Sequence, residues 1–302
     1  MAAQELRYRP NLLARAMVTR STQTLGLIIS DVANPYVDEI ILAVEQAAST
    51  LGYSVFLCNS RLDPAVATRS LRLLASREVD GMLVWTSIID MDSVVAVCRE
   101  GTPVVVWDAE PPEGSGIPVL RADLEAGERA AVEHLLSLGH HQIAFVGGLE
   151  RYLHKDRRLG AYQAALEAAG LPFDPELVQA GDYKIEGGRL ALRRLLELPD
   201  PPTAVVTVSD ATAIGVLHAA RSAGLRVPDD LSVVGFDDVL LASVVDPPVT
   251  TVAIPRQLAG AAAVDLVARL IHGQPCPACT VLPTQLIVRA STGPPARLRV
   301  AR

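Results

Sequence analysis

The chain has 302 residues, half of them apolar and only 4% aromatic, and it carries a net charge of −7. This length favours two lobes over a single core, and the acidic balance argues against a broad nucleic-acid surface. The four cysteines are widely spaced, which excludes a disulfide framework and predicts a reducing, cytoplasmic location. The sequence shows no signal peptide and no apolar stretch of bilayer-spanning length, so we expect no membrane partner.

The N-terminal segment differs in charge from the rest of the chain. Residues 1–24 contain four arginines and one acid, so they are net +3, while residues 25–302 are net −10. Neutralisation of phosphates supplies the sequence-independent part of DNA affinity, and it needs clustered positive charge. A basic arm on an acidic body therefore indicates a local contact with a polyanion.

The first half of the chain alternates short apolar runs with helical patterns. The runs are continuously apolar, which is typical of parallel strands that are buried on both faces. This βαβ succession predicts a parallel sheet covered by helices. The predicted strands are residues 24–30, 53–58, 80–85, 103–107 and 117–121, and the predicted helices are residues 35–51, 63–77, 91–100 and 124–138.

The pattern then restarts, and it predicts a second lobe of the same kind. The expected fold class is α/β, with two doubly wound parallel-sheet lobes joined by crossover strands. We assign residues 24–122 and 253–281 to the N-terminal lobe, residues 123–252 and 282–297 to the C-terminal lobe, and residues 298–302 to a tail. The predicted strands are residues 141–148, 203–208, 232–236 and 284–288, and the predicted helices are residues 156–169, 184–197, 210–223 and 256–272.

Polar side chains follow several of the predicted strands. Ligands of doubly wound sheets bind at the carboxyl ends of the strands, which we expect to face each other across a cleft between the lobes. Arginine and aspartate suit the hydroxyl groups of a sugar or related metabolite, and tyrosine offers a flat surface to a ring. The predicted ligand-binding residues are Asp31, Tyr36, Thr86, Asp108, Arg158, Tyr183, Ser209 and Asp237.

Structural roles remain open for these residues, and signs of catalysis are missing. Asp31 and Asp237 also suit helix capping, and Arg158 also suits a helix surface. The sequence contains no phosphate loop, no dinucleotide-binding glycine motif and no nucleophile–base triad, so we expect no enzyme activity, no catalytic residue and no cofactor. Cys276 and Cys279 have a zinc-like spacing, but a structural zinc takes four ligands and no second pair exists, so we expect no metal site.

Six segments of the chain, taken in order, carry a resemblance to one protein family. They are YRPNLLARAM (8–17), TLGLIISDVANPY (24–36), HLLSLGHHQIAFVGG (134–148), RLGAYQAAL (158–166), SDATAIGVLHAARSAGLRVPDDLSVVGFDD (209–238) and PPVTTVAIP (247–255). Together they resemble the lactose-repressor (LacI/GalR) family of bacterial transcription regulators. The resemblance implies periplasmic-binding-protein-like lobes, an effector-binding core, a homodimer, and effector contacts at Arg158 and Asp237.

The segment 8–17 resembles the hinge helix of that family, which enters the minor groove of DNA and wedges an apolar side chain between base pairs. The resemblance places Met17 at the wedge, Arg15 toward phosphate and Asn11 at the helix N-cap. Family members begin with a helix-turn-helix, of which this sequence keeps only the last residues. We therefore expect residues 1–23 to be a remnant of the DNA-binding domain with the hinge; a disordered basic leader is the alternative.

These observations predict a ligand-responsive transcriptional regulator of the LacI type that acts as a homodimer. A small, sugar-like effector is expected to shift the relative orientation of the lobes and thereby control operator binding of the full-length protein through the hinge. The residues leave open whether it acts as a repressor or an activator. A stand-alone sugar-binding or solute-binding protein without DNA binding is the alternative.

Overall fold

The computed structural model describes residues 21–295, which form two compact units. Each unit contains a six-stranded, mostly parallel sheet with helices alternating along the chain, so the predicted fold class is confirmed. The predicted hinge residues Asn11, Arg15 and Met17 lie outside the described residues, as does the predicted tail 298–302. The first unit comprises residues 21–33, Val37–Arg121 and Arg256–Val281, and the second comprises Asn34–Tyr36, Ala122–Pro255 and residues 282–295.

The strands and α-helices of the described residues are numbered in chain order. The strands are β1 (Thr24–Ile29), β2 (Ser54–Asn59), β3 (Gly81–Trp85), β4 (Val104–Trp107), β5 (Val119–Ala122), β6 (Ile143–Gly147), β7 (Val178–Ala180), β8 (Ala204–Thr207), β9 (Ser232–Asp237), β10 (Thr250–Ala253), β11 (Cys279–Leu282) and β12 (Gln285–Ile287). The helices are α1 (Pro35–Thr50), α2 (Pro64–Ser76), α3 (Met91–Arg99), α4 (Leu124–Ser137), α5 (Arg157–Ala168), α6 (Ile185–Leu195), α7 (Asp210–Ser222), α8 (Leu240–Val244) and α9 (Arg256–Ile271).

The two sheets repeat one strand order. The first runs β11-β5-β4-β3-β1-β2 and the second runs β12-β10-β9-β8-β6-β7. In each sheet the order reverses, between β1 and β3 in the first and between β6 and β8 in the second. Strands β1 to β5 pair in parallel, and in the second sheet only β12 pairs antiparallel, with β10. Such reversals place a crevice at the carboxyl ends of the strands, which is where doubly wound sheets bind ligands.

Local sequence explains why these elements form where they do. The strands β1 and β9 are buried at every position, in keeping with their continuous apolar composition. Helix starts are fixed by side chains that accept hydrogen bonds from the first turn. These N-cap residues are Asp63 at α2, Asp90 at α3, Asp123 at α4, Asp156 at α5 and Ser209 at α7.

The predicted strands and helices are present, with boundaries that agree to within two residues. The strands β7, β10 and β11 and the short helix α8 have no counterpart among the predicted elements. Each has only three to five residues, which leaves little room for a periodic pattern. None of the helices in the described part of the chain has the length and hydropathy that a bilayer crossing needs.

Candidate functional site

Arg158 lies at the start of α5, where a neighbouring carboxylate fixes its guanidinium. Arg158 Nε and Nη2 donate to the two carboxylate oxygens of Asp156, each at 2.9 Å. The same carboxylate accepts from the Arg158 backbone N–H at 3.1 Å and so caps the helix. Arg158 Nη1 donates to the Val208 carbonyl oxygen at 2.9 Å. A bidentate pair of this kind is strong and fixes the guanidinium plane.

The pair formed by Arg158 and Asp156 is buried, and only 7% of Arg158 is exposed. Burial by itself lowers the pKa of Arg158, but the Asp156 carboxylate outweighs it and holds that pKa above its ordinary value. Burial by itself raises the pKa of Asp156, but the charge of Arg158 holds that pKa below its ordinary value. Both groups are therefore charged at neutral pH.

Two aromatic rings border the Arg158 guanidinium. Its Cζ lies 5.4 Å from the ring centroid of Phe236 and 5.9 Å from that of Tyr183. Arg158 Nη2 also donates to the Tyr183 phenol oxygen at 3.4 Å. Desolvation raises the pKa of the Tyr183 phenol, so the hydroxyl keeps its proton and can itself donate. The structure thus brings the predicted residues Arg158 and Tyr183 into contact.

Asp237 ends β9 directly after Phe236, and only 6% of it is exposed. Its backbone φ is +107° and that of Tyr183 is +60°, values that residues other than glycine rarely adopt. Such strain tends to occur at ligand-binding sites, where the surrounding structure holds a side chain in place. The next residue, Asp238, pairs with Arg289 at 2.5 Å.

Ser209 has a structural role in the described protein. Its Oγ accepts from the Thr212 backbone N–H at 3.2 Å and lies 2.9 Å from Thr212 Oγ1, which caps α7. Serine directly before a helix is a preferred N-cap, so this role agrees with the local sequence. A contact of Ser209 with an effector stays a prediction.

The remaining predicted residues follow β1, β3 and β4 of the first sheet. Asp31 and Thr86 each accept, through a side-chain oxygen, from the backbone N–H two residues later, at 3.1 and 3.2 Å. Asp108 has a φ of +47°, and its backbone N–H donates to the Leu120 carbonyl oxygen at 2.9 Å. Tyr36 lies buried in the first turn of α1. Effector contacts of these four residues stay predictions.

Sequence reasoning missed the two tryptophans of the chain. Trp85 and Trp107 end the neighbouring strands β3 and β4, and their rings stack with centroids 4.1 Å apart and planes 13° apart. Trp85 is buried, and its Nε1 has no hydrogen-bond partner. The signal was available, because both residues directly precede predicted site residues, Thr86 and Asp108. The pair places a large aromatic surface at the carboxyl edge of the first sheet.

Glu128, in α4, is a further residue that sequence reasoning missed. Only 1% of it is exposed, and neither carboxylate oxygen has a hydrogen-bond partner. Burial raises the pKa of Glu128 to about 8, although the nearby charge of Arg158 lowers it. The helical spacing could have indicated the burial of Glu128, because this residue shares a helix face with Ala131, Val132 and Leu135, which are all buried. The carboxyl group is therefore protonated at neutral pH.

Comparison with known proteins identifies the family. Residues 132–292 match the family model described as a periplasmic binding protein-like domain, which is more than half of the chain. The chain is 34% identical to the HTH-type transcriptional regulator DegA of Bacillus subtilis, across 96% of this chain and 87% of that protein.

Solved structures give the same result. A LacI family transcriptional regulator from Enterococcus faecium with bound ribose superposes with a TM-score of 0.81 at 27% identity, covering 90% of this chain and 99% of that one. The lac repressor dimer bound to operator superposes with a TM-score of 0.84 at 28% identity, covering 95% of this chain and 99% of that one. The chain therefore belongs to the LacI family of transcriptional regulators.

Proposed function

We propose that this protein is a homodimeric regulator whose core binds a small hydroxylated effector, a sugar or related metabolite, and thereby controls binding to operator DNA. The observation that carries the proposal is the Arg158 cluster at the carboxyl edge of the second sheet. Ribose in the relative from Enterococcus faecium and operator DNA in the lac repressor dimer support the two binding partners.

The chemistry around Arg158 favours an uncharged, hydroxyl-rich ligand. Asp156 already neutralises the guanidinium, and the hydrogen bonds to Asp156, Val208 and Tyr183 leave one Nη1 hydrogen for a ligand oxygen. Asp237 adds a carboxylate that accepts from hydroxyl groups, and the Tyr183 and Phe236 rings offer apolar surface. A phosphate or carboxylate would meet an excess of negative charge here, whereas a hydroxyl group would find both a donor and an acceptor.

The proposed link to DNA is the N-terminal arm. We propose that residues 1–23 hold the hinge, with Asn11 as N-cap, Arg15 near phosphate and Met17 as the wedge. Effector binding then changes the affinity of the protein for operator DNA. The size of the change equals the difference between the binding free energies of the effector to the DNA-bound protein and to the free protein. Repression and activation both satisfy this scheme.

A thermal-shift screen tests the effector site. Ribose, other pentoses, hexoses, cellobiose and nucleosides are added to the chain, because a ligand that binds only the folded state raises the melting temperature. The variant Arg158→Lys keeps the charge but loses the planar fork, so we expect it to weaken binding by about tenfold or more. Arg157→Lys is the matched control, because Arg157 pairs with Glu125 outside the cluster. Equal affinity in both variants, or no shift with any compound, would contradict the proposed site.

A chimera tests the regulatory role and separates it from the alternative of a stand-alone sugar-binding protein. The helix-turn-helix of the lac repressor is fused in front of residue 1, and binding to lac operator DNA is measured by anisotropy with and without the sugar. We expect operator binding that the sugar changes by about fivefold or more. Sugar binding without any effect on operator affinity would favour the stand-alone binding protein.

A further inference from the structure

Asp80 lies directly before β3, at the amino edge of the first sheet, and its carboxylate binds the segment that leads into β1. Ser21 Oγ donates to Asp80 Oδ2 at 2.5 Å, and the Gln23 backbone N–H donates to the same oxygen at 3.0 Å. The Thr22 backbone N–H and Thr22 Oγ1 donate to Asp80 Oδ1 at 2.7 and 2.8 Å. One carboxylate thus accepts four hydrogen bonds from three consecutive residues.

Ordinary strand pairing does not require this arrangement. The ladder between β1 and β3 is closed there by a backbone bond, from the Asp80 N–H to the Thr24 carbonyl oxygen at 2.9 Å. The four side-chain bonds go instead to residues 21–23, which precede β1 and belong to no strand. They use the whole acceptor capacity of a carboxylate, about four lone-pair sites.

Further contacts hold the same three residues in one conformation. Thr22 Oγ1 lies 3.1 Å from the Glu78 carbonyl oxygen, and the Gln23 carbonyl oxygen accepts from the Ser54 N–H at 2.9 Å. Gln23 has a φ of +52°, a value that a residue other than glycine keeps only when its surroundings impose it. The segment is therefore tied to two strands of the first unit at once.

We propose that Asp80 is a tether, a positioning residue that fixes the direction in which the basic arm joins the first unit. Without it, residues 21–23 become an added flexible linker, and a rearrangement of the first unit is no longer passed on to residues 1–20. The importance of that transmission for DNA binding rests on the proposed function. The tether itself does not, and it can be tested without DNA or effector.

Limited trypsin digestion of the full chain provides the test. The enzyme must take up residues 21–23 in extended form to cut after Arg20, and cleavage of a held segment follows the fraction of open molecules. Cleavage after Arg15 on the same chain serves as the internal reference. In Asp80→Asn we expect the rate after Arg20, relative to that after Arg15, to rise about tenfold, because hydrogen bonds to a charged acceptor are lost. Asp80→Ala should raise it further.

Asp90→Asn is the matched control, because Asp90 caps α3 in the same unit by accepting from Ser93 and has no contact with residues 21–23. We expect its cleavage ratio to equal that of the unmodified chain. An unchanged ratio in Asp80→Asn would overturn the tether. If Asp80→Ala fails to fold, the variant Thr22→Val provides the test, because it removes one donor to Asp80 Oδ1. Hydrogen exchange of the Gln23 backbone amide is then measured. Faster exchange supports the tether, and unchanged exchange overturns it.

Discussion

The two neighbouring arginines at the start of α5 show how burial changes the value of an ion pair. Arg158 and Asp156 are paired with less than a tenth of each side chain exposed, whereas Arg157 and Glu125 are paired with about a third of each exposed. A buried pair contributes little over an apolar replacement, but removal of one partner leaves the other charge buried and uncompensated. An exposed pair is screened by water and contributes little in either case.

We therefore expect Arg158→Ala to lower the free energy of unfolding by about 3–5 kcal/mol. Arg157→Ala, one residue earlier, should change it by less than about 1 kcal/mol. Urea denaturation followed by circular dichroism measures both values. Equal losses would show that the Arg158 pair is as well solvated as the surface pair.

The two arginines look alike in the sequence, and only the fold separates them. The acceptor that distinguishes Arg158 is the Val208 carbonyl oxygen, fifty positions further along the chain and directly after β8. The family resemblance singled out Arg158 as a site residue, but no local pattern predicts such a long-range hydrogen bond. Asp156 as the N-cap of α5, in contrast, follows from local preference.

At the scale of elements, the helices α6 and α7 of the second unit pack at very close range. A Cβ at Gly215 would lie 1.9 Å from the Ile185 carbonyl oxygen, and one at Gly188 would lie 2.0 Å from the Thr212 carbonyl oxygen. Both obstacles are backbone atoms, which cannot move aside as a side chain can. The two helices therefore approach each other as closely as they do only because these positions are glycine.

We expect Gly215→Ala to destabilise the protein by about 1–3 kcal/mol, because the helices must separate to admit the methyl group. Gly160→Ala in α5 is the control, since a Cβ there meets nothing within 4 Å. That variant should stabilise the protein by about 0.5–1 kcal/mol through the higher helix propensity of alanine. Thermal unfolding of the two variants side by side would show opposite shifts, and a shift of the same sign would contradict the packing argument.

Elements with a clear continuous or helical pattern were predictable from the sequence. Continuous apolar runs gave β1, β3 and β9, because strands buried on both faces leave this mark in any sequence. The helix pattern that predicts α4 also places Glu128 on the buried face of the helix. Short strands such as β10 are selected by the neighbours they pair with, so local sequence carries little of the information.

At the scale of the whole molecule, buried acids set the expected dependence of stability on pH. Burial raises the pKa of Glu128 to about 8 and that of Asp210 to about 7. The folded state then holds protons that the unfolded chain has released, so stability falls as pH rises from about 5 to 8. Asp156 and His140 act in the opposite direction, because their pKa values are lowered and stability is lost as pH falls.

We therefore expect the free energy of unfolding to reach its maximum on the acidic side of neutrality. Urea denaturation between pH 4 and pH 9 locates that maximum. The variant Glu128→Gln cannot ionise, so its stability should decline less steeply between pH 5 and 8, by up to about 1.4 kcal/mol for each pH unit. Parallel curves for the two proteins would show that Glu128 is not the group that takes up the proton.

The sequence by itself determined the fold class and the family, because these depend on local periodicity and on ordered segments. Only the tertiary structure decided which polar groups meet. Three sets of contacts join segments that are far apart along the chain. They are the stack of Trp85 on Trp107, the burial of Glu128 beside Arg158 and the hydrogen bonds between Asp80 and residues 21–23. Such contacts depend on strand order and on the direction of each side chain, and both are fixed only when the sheets assemble.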